Sequence, residues 1–135
     1  MAFINWSDTY SVQIEEIDDQ HKKLIALINE LFDSMQKGQS RQVIGRILND
    51  LIDYTAVHFK TEETYFDRFN YEDSAEHKEK HKRLVDNVIK VKSDFESGKI
   101  SVSSDLLKFL KRWLFEHILE TDKKYITCFH QNGVK

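Results

Sequence analysis

Leu24, Leu27, Ile28, Leu31 and Met35 recur at steps of three and four residues, the period of one face of an α-helix. The same step returns in Val43, Ile44, Ile47, Leu48, Leu51 and Thr55, and again in Leu84, Val85, Val88, Val91 and Phe95. A fourth stripe runs through Leu106, Leu107, Leu110, Trp113, Leu114 and Ile118. These stripes predict helices over about 18–37, 41–69, 74–97 and 103–128. Asp18 reads as the first N-cap, and Asp73 with Glu76 three residues on resembles a capping box. Gly38, the stretch "NYEDSAEH" and Gly98 supply the stops, while the second and fourth helices start after Ser40 and around Ser103. Gly45 interrupts a helical stripe at a cost of about 1 kcal/mol relative to alanine, which suggests a close helix neighbour. Residues 1–17 alternate too irregularly for a helix and read as an arm that Trp6 and Val12 dock on the rest.

Connections of a few residues make consecutive helices antiparallel. The chain has no proline, 4 glycines and no Pro/Ser/Gly-rich linker, so nothing divides its 135 residues. The expected fold is all-α, an up-down-up-down antiparallel four-helix bundle with an N-terminal arm, forming one domain over 1–135.

Hydrophobic stripes explain a stable bundle but not the polar groups that sit on them. His21 precedes Leu24 and Ile28; His58 follows Leu51 and Thr55; His77 and His81 lead into Leu84, Val85 and Val88; His117 follows Leu110 and Leu114. Glu62, four after His58, and Asp122, five after His117, join them. Buried together without partners, these groups would be strongly destabilising. Any one of them is ordinary; their convergence is not. Antiparallel packing brings the starts of helices one and three and the ends of helices two and four to the same end of the bundle. Five residues turn a regular helix about 140° past a full turn, so His117 and Asp122 do not share a line. Either Asp122 reaches round from the stripe's edge, or the helix widens locally into a π-turn.

The formal net charge of -3, with Lys and Arg spread along the chain, gives no push toward nucleic acid or membrane. No segment approaches the roughly 20 apolar residues of a membrane span, and "MAFINWSDTYSVQ" lacks the features of a secretion signal. A lone Cys128 suits a reducing, cytoplasmic location and reads as a bystander thiol. His130, near the tail, reads as exposed and non-ligating.

Five imidazoles and two carboxylates exceed one tetrahedral zinc site, and nitrogen donors argue against calcium or magnesium. Two transition-metal ions fit. If both carboxylates and an oxo or hydroxo group bridge two octahedral irons, eleven of about twelve positions fill and one stays open on the two-histidine ion. A single vacancy favours reversible binding of one small diatomic molecule over chemistry on a second substrate.

"DDQHK" (His21), "HFKTE" (His58, Glu62), "HKEKH" (His77, His81) and "HILETDKKY" (His117, Asp122) together resemble the ligand set of the hemerythrin family. The leading "W…V…DDQH" pattern is especially similar to its single-domain bacterial members. The resemblance implies two iron ions, cycling Fe2+/Fe3+ with an oxo or hydroxo bridge. His77, His81 and His117 would hold the six-coordinate iron, His21 and His58 the five-coordinate one, and Glu62 and Asp122 would bridge. "WLFEH" looks like the family's pocket motif: Trp113 and Leu114, with Leu24 and Phe59, would form an apolar wall around dioxygen. Tyr125 matches a family tyrosine near the bridging aspartate and would hydrogen-bond behind the ligands. The implied function is reversible dioxygen binding for transport, storage or delivery to an oxygen-consuming enzyme, by a monomer with no catalytic residues. The rival readings are a diiron enzyme (ferroxidase, peroxidase-like or nitric-oxide handling) and an oxygen or iron sensor.

Overall fold

A computed structural model describes residues 3–38, 41–98 and 104–135, with side chains in the last segment described from Leu107 on. A 3-10 turn at Asp8–Tyr10 precedes four long helices: α1 (Glu15–Gln36), α2 (Arg41–Phe69), α3 (Ser74–Glu96) and α4 (Ser104–Glu116). Beyond α4 the chain keeps winding through a π-helical segment, His117–Thr121, a 3-10 turn, Asp122–Tyr125, and a short α5 (Ile126–Gln131). α2 packs on both α1 and α3, α4 packs on α1, and α5 returns to α2. The architecture is therefore the all-α four-helix bundle that the stripes require, with no strand among the described residues. α2 starts at Arg41, directly after Ser40 as expected, while Ser40 itself and Ser103, the expected start of the fourth helix, lie outside the described residues.

The ends of the helices follow local chemistry with two departures, at Asp18 and Asp73. Gly38 and Gly98 take φ of +64° and +80°, the left-handed conformation that closes α1 and α3. Asn70 does the same for α2 at φ +50°, and the Tyr71 amide reaches back to the Phe66 carbonyl at 3.0 Å. Asp18 is not the first N-cap: α1 begins three residues earlier, behind Ile14. The Asp18 carboxylate instead accepts from the Ser11 hydroxyl and from the Val12 amide, at 2.8 Å for the latter, so it ties the arm to the helix. Asp73 occupies the N-cap of α3, but its side chain makes no cap bond and the box does not close. A β-carbon on Gly45 would meet only Phe95 Cε1, at 3.8 Å, so no close helix approach demands the glycine.

The arm is held at several points. Asn29 exchanges two bonds with the Ile4 backbone, both 2.8 Å, and Lys123 donates to the Thr9 carbonyl at 2.6 Å. Val12 is fully buried, and half-buried Trp6 lies under the Lys22 ammonium, 5.1 Å from the ring centre. His130 is half-buried, not exposed: its Nε2 lies 2.7 Å from the carbonyl of Gln13, a non-glycine residue at φ +59°.

Two apolar clusters fill the interior. The larger contains Leu24, Ile28, Leu51, Val88, Leu110, Trp113, Leu114 and Ile118. The smaller, at the end where the arm and α5 meet, contains Val12, Ile14, Ile17, Phe66, Tyr71, Tyr125 and Phe129. Along each helical run of the bundle the sequence passes from one cluster to the other through a buried histidine or carboxylate: His21, His58 with Glu62, His77 with His81, His117 with Asp122. A polar layer therefore divides two hydrophobic ones.

Candidate metal centre

The structure brings all seven candidate side chains into that layer. Each is 7% exposed or less, and Glu62 and Asp122 are completely buried. His21 comes from the second turn of α1, His58 and Glu62 from the far part of α2, and His77 and His81 from the first two turns of α3. His117 opens the π segment, and the amide of Asp122 donates to the His117 carbonyl. That bond spans five residues, so the widened turn carries Asp122 back over His117. Of the two routes open in the sequence, local widening is the one the backbone takes.

Within the layer the donor atoms sort into two overlapping groups that could hold a metal ion. One is Glu62, His77, His81, His117 and Asp122; the other is His21, His58, Glu62 and Asp122; within each, donors lie within 4.8 Å of one another. Both carboxylates belong to both groups, as a pair of bridges between two ions would. Asp122 Oδ1 lies 2.8 Å from His117 Nε2 and 3.0 Å from His77 Nε2, while Oδ2 lies 3.0 Å from His21 Nε2. Glu62 Oε1 lies 3.1 Å from His81 Nε2 and 3.5 Å from His58 Nε2.

None of these approaches has the alignment of a hydrogen bond. All five Nε2 atoms, Glu62 Oε1 and both Asp122 oxygens are buried without a hydrogen-bond partner among the described residues. Leaving so many polar atoms unsatisfied costs about 1–3 kcal/mol apiece, together comparable to or larger than the whole stability of a domain. The spacing identifies the remedy. Neighbouring donors on one ion, with bonds of about 2.1 Å at right angles, sit about 3 Å apart, close to the separations observed.

The surrounding groups hold the donors in place. His58 Nδ1 lies 2.6 Å from Gln20 Oε1, and His81 Nδ1 lies 2.9 Å from Glu63 Oε2. In each case the remote nitrogen carries the proton and the inward Nε2 keeps its lone pair free for a metal. The Phe59 ring stacks on His81 with centroids 3.8 Å apart, and Phe66 packs on His77 at 4.7 Å. Tyr125 is buried and donates its hydroxyl to Glu62 Oε2, so its partner is the carboxylate on α2, not the nearby aspartate. Gln20 and Glu63 escape sequence reasoning, since each is a common polar residue whose only signal is its place beside a ligand candidate.

Electrostatics in the metal-free chain follow from burial. Burial pushes His58 down to about 4 and His81 down to about 3, the latter helped by the charges of His117 and His77. Neutral imidazole is the form a metal requires. At Asp122, burial opposes ionisation but the His117, His21 and His77 imidazoles outweigh it and hold the carboxyl well below its usual range. Those contacts in turn keep His117 raised against its own burial. Glu62 is pushed up by burial and then by the Asp122 charge. Two cations between the carboxylates would remove that conflict.

A small cavity of about 10 Å³, about the room one water-sized molecule needs, lies against the donor layer. Leu24, Phe59, Leu84, Trp113, Leu114 and Ile118 wall it, and His21, His58, His117 and Asp122 form its floor. The four residues expected to form a pocket all line it; Leu84 and Ile118, indistinguishable in the sequence from other core positions, complete it. The Trp113 indole N–H donates to the Leu84 carbonyl at 3.1 Å, pinning α4 to α3 at the cavity's edge. Outside lies a surface groove of about 420 Å³, whose inner wall includes Leu84, Trp113 and His117.

Fold and site together define a helical-bundle protein whose core presents a histidine- and carboxylate-rich donor set for a metal. The family model described as "Hemerythrin HHE cation binding domain" matches residues 12–129. The chain belongs to the hemerythrin family. It is 36% identical to a bacteriohemerythrin of Methylococcus capsulatus, over 95% of this chain and 98% of that protein. A bacteriohemerythrin of Pseudomonas aeruginosa is also 36% identical, over 93% of this chain and 81% of the relative. A hemerythrin-like protein of Naegleria gruberi is again 36% identical, over 90% of this chain and 89% of its own length. The crystal structure of a wild-type hemerythrin superposes with a TM-score of 0.87 at 36% identity, covering 94% of this chain and 98% of that one. No helix among the described residues is long and apolar enough to cross a membrane.

Proposed function

We propose that this protein binds dioxygen reversibly at a pair of iron ions with one open coordination position. His77, His81 and His117 would hold one ion, His21 and His58 the other, with Glu62 and Asp122 shared between them. The bound irons would supply electrons and a vacant position for taking up and releasing dioxygen. The observation that carries this reading is where the cavity sits. It touches both histidines of the two-histidine group but only His117 of the other three, so it abuts the group with fewer donors.

Several of the chain's own residues support a reversible reading. Leu24, Phe59, Trp113, Leu114 and Ile118 wall the donor layer and leave a cavity of about 10 Å³, the size of one very small molecule and too small for a second substrate. Tyr125, whose phenol burial and the Glu62 charge hold well above its ordinary value, stays a hydrogen-bond donor and fixes the orientation of Glu62. Gln20 and Glu63 fix the imidazoles of His58 and His81 from behind. Together these favour a carrier, store or donor of dioxygen over an enzyme.

The test is an absorbance experiment on iron-loaded, reduced protein. Colour should develop when oxygen is admitted and bleach when it is removed, over repeated cycles. Colour that forms once and does not reverse, or turnover of peroxide or nitric oxide in its place, would favour a diiron enzyme.

A further inference from the structure

The two histidines with identified outer partners are not held alike. His81, in the three-histidine group, faces the carboxylate of Glu63 at 2.9 Å. His58, in the two-histidine group, faces the amide oxygen of Gln20 at 2.6 Å. The Gln20 orientation is forced. The Thr61 hydroxyl donates to the Val57 carbonyl at 3.1 Å, so toward Gln20 it can only accept, and it accepts a hydrogen bond from Gln20 Nε2 at 3.2 Å. The amide oxygen must then point at His58, which must carry its proton on Nδ1. The other imidazole of that group, His21, has a buried Nδ1 with no partner among the described residues. A carboxylate behind an imidazole strengthens it as a donor and stabilises positive charge on the ion beyond; a neutral amide orients it without that charge.

We propose that Glu63 and Gln20 are positioning residues that make the two metal positions unequal, the three-histidine position binding its ion more tightly and favouring its more oxidised state. The inference rests on the two-metal reading above. The more weakly supported position is the one beside the cavity, where an exchangeable ligand belongs. Glu63 is 33% exposed and shares a surface groove with Lys60, Lys78 and Lys82, so solvent and these lysines temper its charge without removing it.

Anaerobic calorimetric titration of the metal-free full-length chain with cobalt(II) separates the two positions. Wild type should take two equivalents in steps of different affinity. Glu63→Gln keeps an acceptor of the same shape and removes only the charge; the tighter step should weaken about 10- to 100-fold, with the weaker step changed less than threefold. Gln20→Glu should strengthen the weaker step and bring the two together. With iron loaded, Glu63→Gln should raise the reduction potential of one of the two one-electron steps, which a purely structural role would leave unmoved. Equal weakening of both steps, or a tighter step and potential unchanged in Glu63→Gln, overturns the inference while leaving the two-metal reading intact. Uptake of a single equivalent by wild type overturns both.

Discussion

Tyr125 and Tyr71 offer a matched pair of substitutions in one aromatic cluster, their rings 6.5 Å apart. Both are buried, but only the Tyr125 hydroxyl has a partner, Glu62 Oε2; the Tyr71 hydroxyl has none among the described residues. Tyr125→Phe leaves a buried carboxylate oxygen without its donor, at about 2 kcal/mol, within the usual penalty for an orphaned buried group. Unfolding entropy of about 2.1 cal/mol/K per residue gives roughly 0.28 kcal/mol/K for this chain, so Tm should fall by about 7 °C. Tyr71→Phe removes a hydroxyl that gains nothing from the protein, so stability should stay the same or rise by up to about 1 kcal/mol, roughly 3–4 °C. Thermal melts followed by far-ultraviolet circular dichroism, with all three proteins loaded with the same redox-inert divalent metal, measure both shifts. Equal losses in the two variants, or a larger loss for Tyr71→Phe, would refute the assignment of the Tyr125 hydroxyl to Glu62.

Four further predictions follow from the same geometry. Glu62→Ala removes a donor common to both groups and should abolish stoichiometric binding of two irons, whereas His81→Ala should cost chiefly the three-histidine position; metal analysis after gel filtration distinguishes them. Gly45→Ala should stabilise α2 by about 1 kcal/mol, because the new methyl meets only an ordinary contact with Phe95, and a denaturant midpoint reads it. Leu24→Ala should destabilise by about 3 kcal/mol and open the cavity to water, seen as faster irreversible loss of the oxygenated spectrum. In the metal-free chain the imidazole resonances of His58 and His81 should stay in their neutral positions down to about pH 5, since burial holds them at about 4 and about 3. Because the ordinary value is about 6.5, their contribution to stability is complete above that pH and is lost as pH falls toward the folded values. His117, held raised, contributes with the opposite sign. Titration of either His58 or His81 near pH 6.5 would show that its side chain is not buried as described.

The bundle was legible because each helix writes its buried face at a helical period, and Gly38 and Gly98 mark their ends chemically. Polar residues on those faces pointed to the donor layer, and the antiparallel arrangement put them at one level. Local signals misled where tertiary contacts decide. Asp18 has the chemistry of an N-cap, yet α1 starts at Glu15 and the Asp18 carboxylate serves the arm instead. The interval from His117 to Asp122 announced a departure from the regular helix but was compatible with two geometries, and only the backbone selects the π-turn. The partner of Tyr125 lies 63 residues away on α2, and Gln20 and Glu63 act on histidines 38 and 18 residues off. Such pairings depend on helix rotation, which hydrophobic spacing does not determine to within one side chain.

Dioxygen uptake measured by oxygen electrode against iron content in the same reduced sample bears most directly on the central claim. Two irons and one dioxygen per chain, with the dioxygen recovered when its pressure is lowered, is the predicted result. One iron per chain, or dioxygen consumed without recovery, would contradict it.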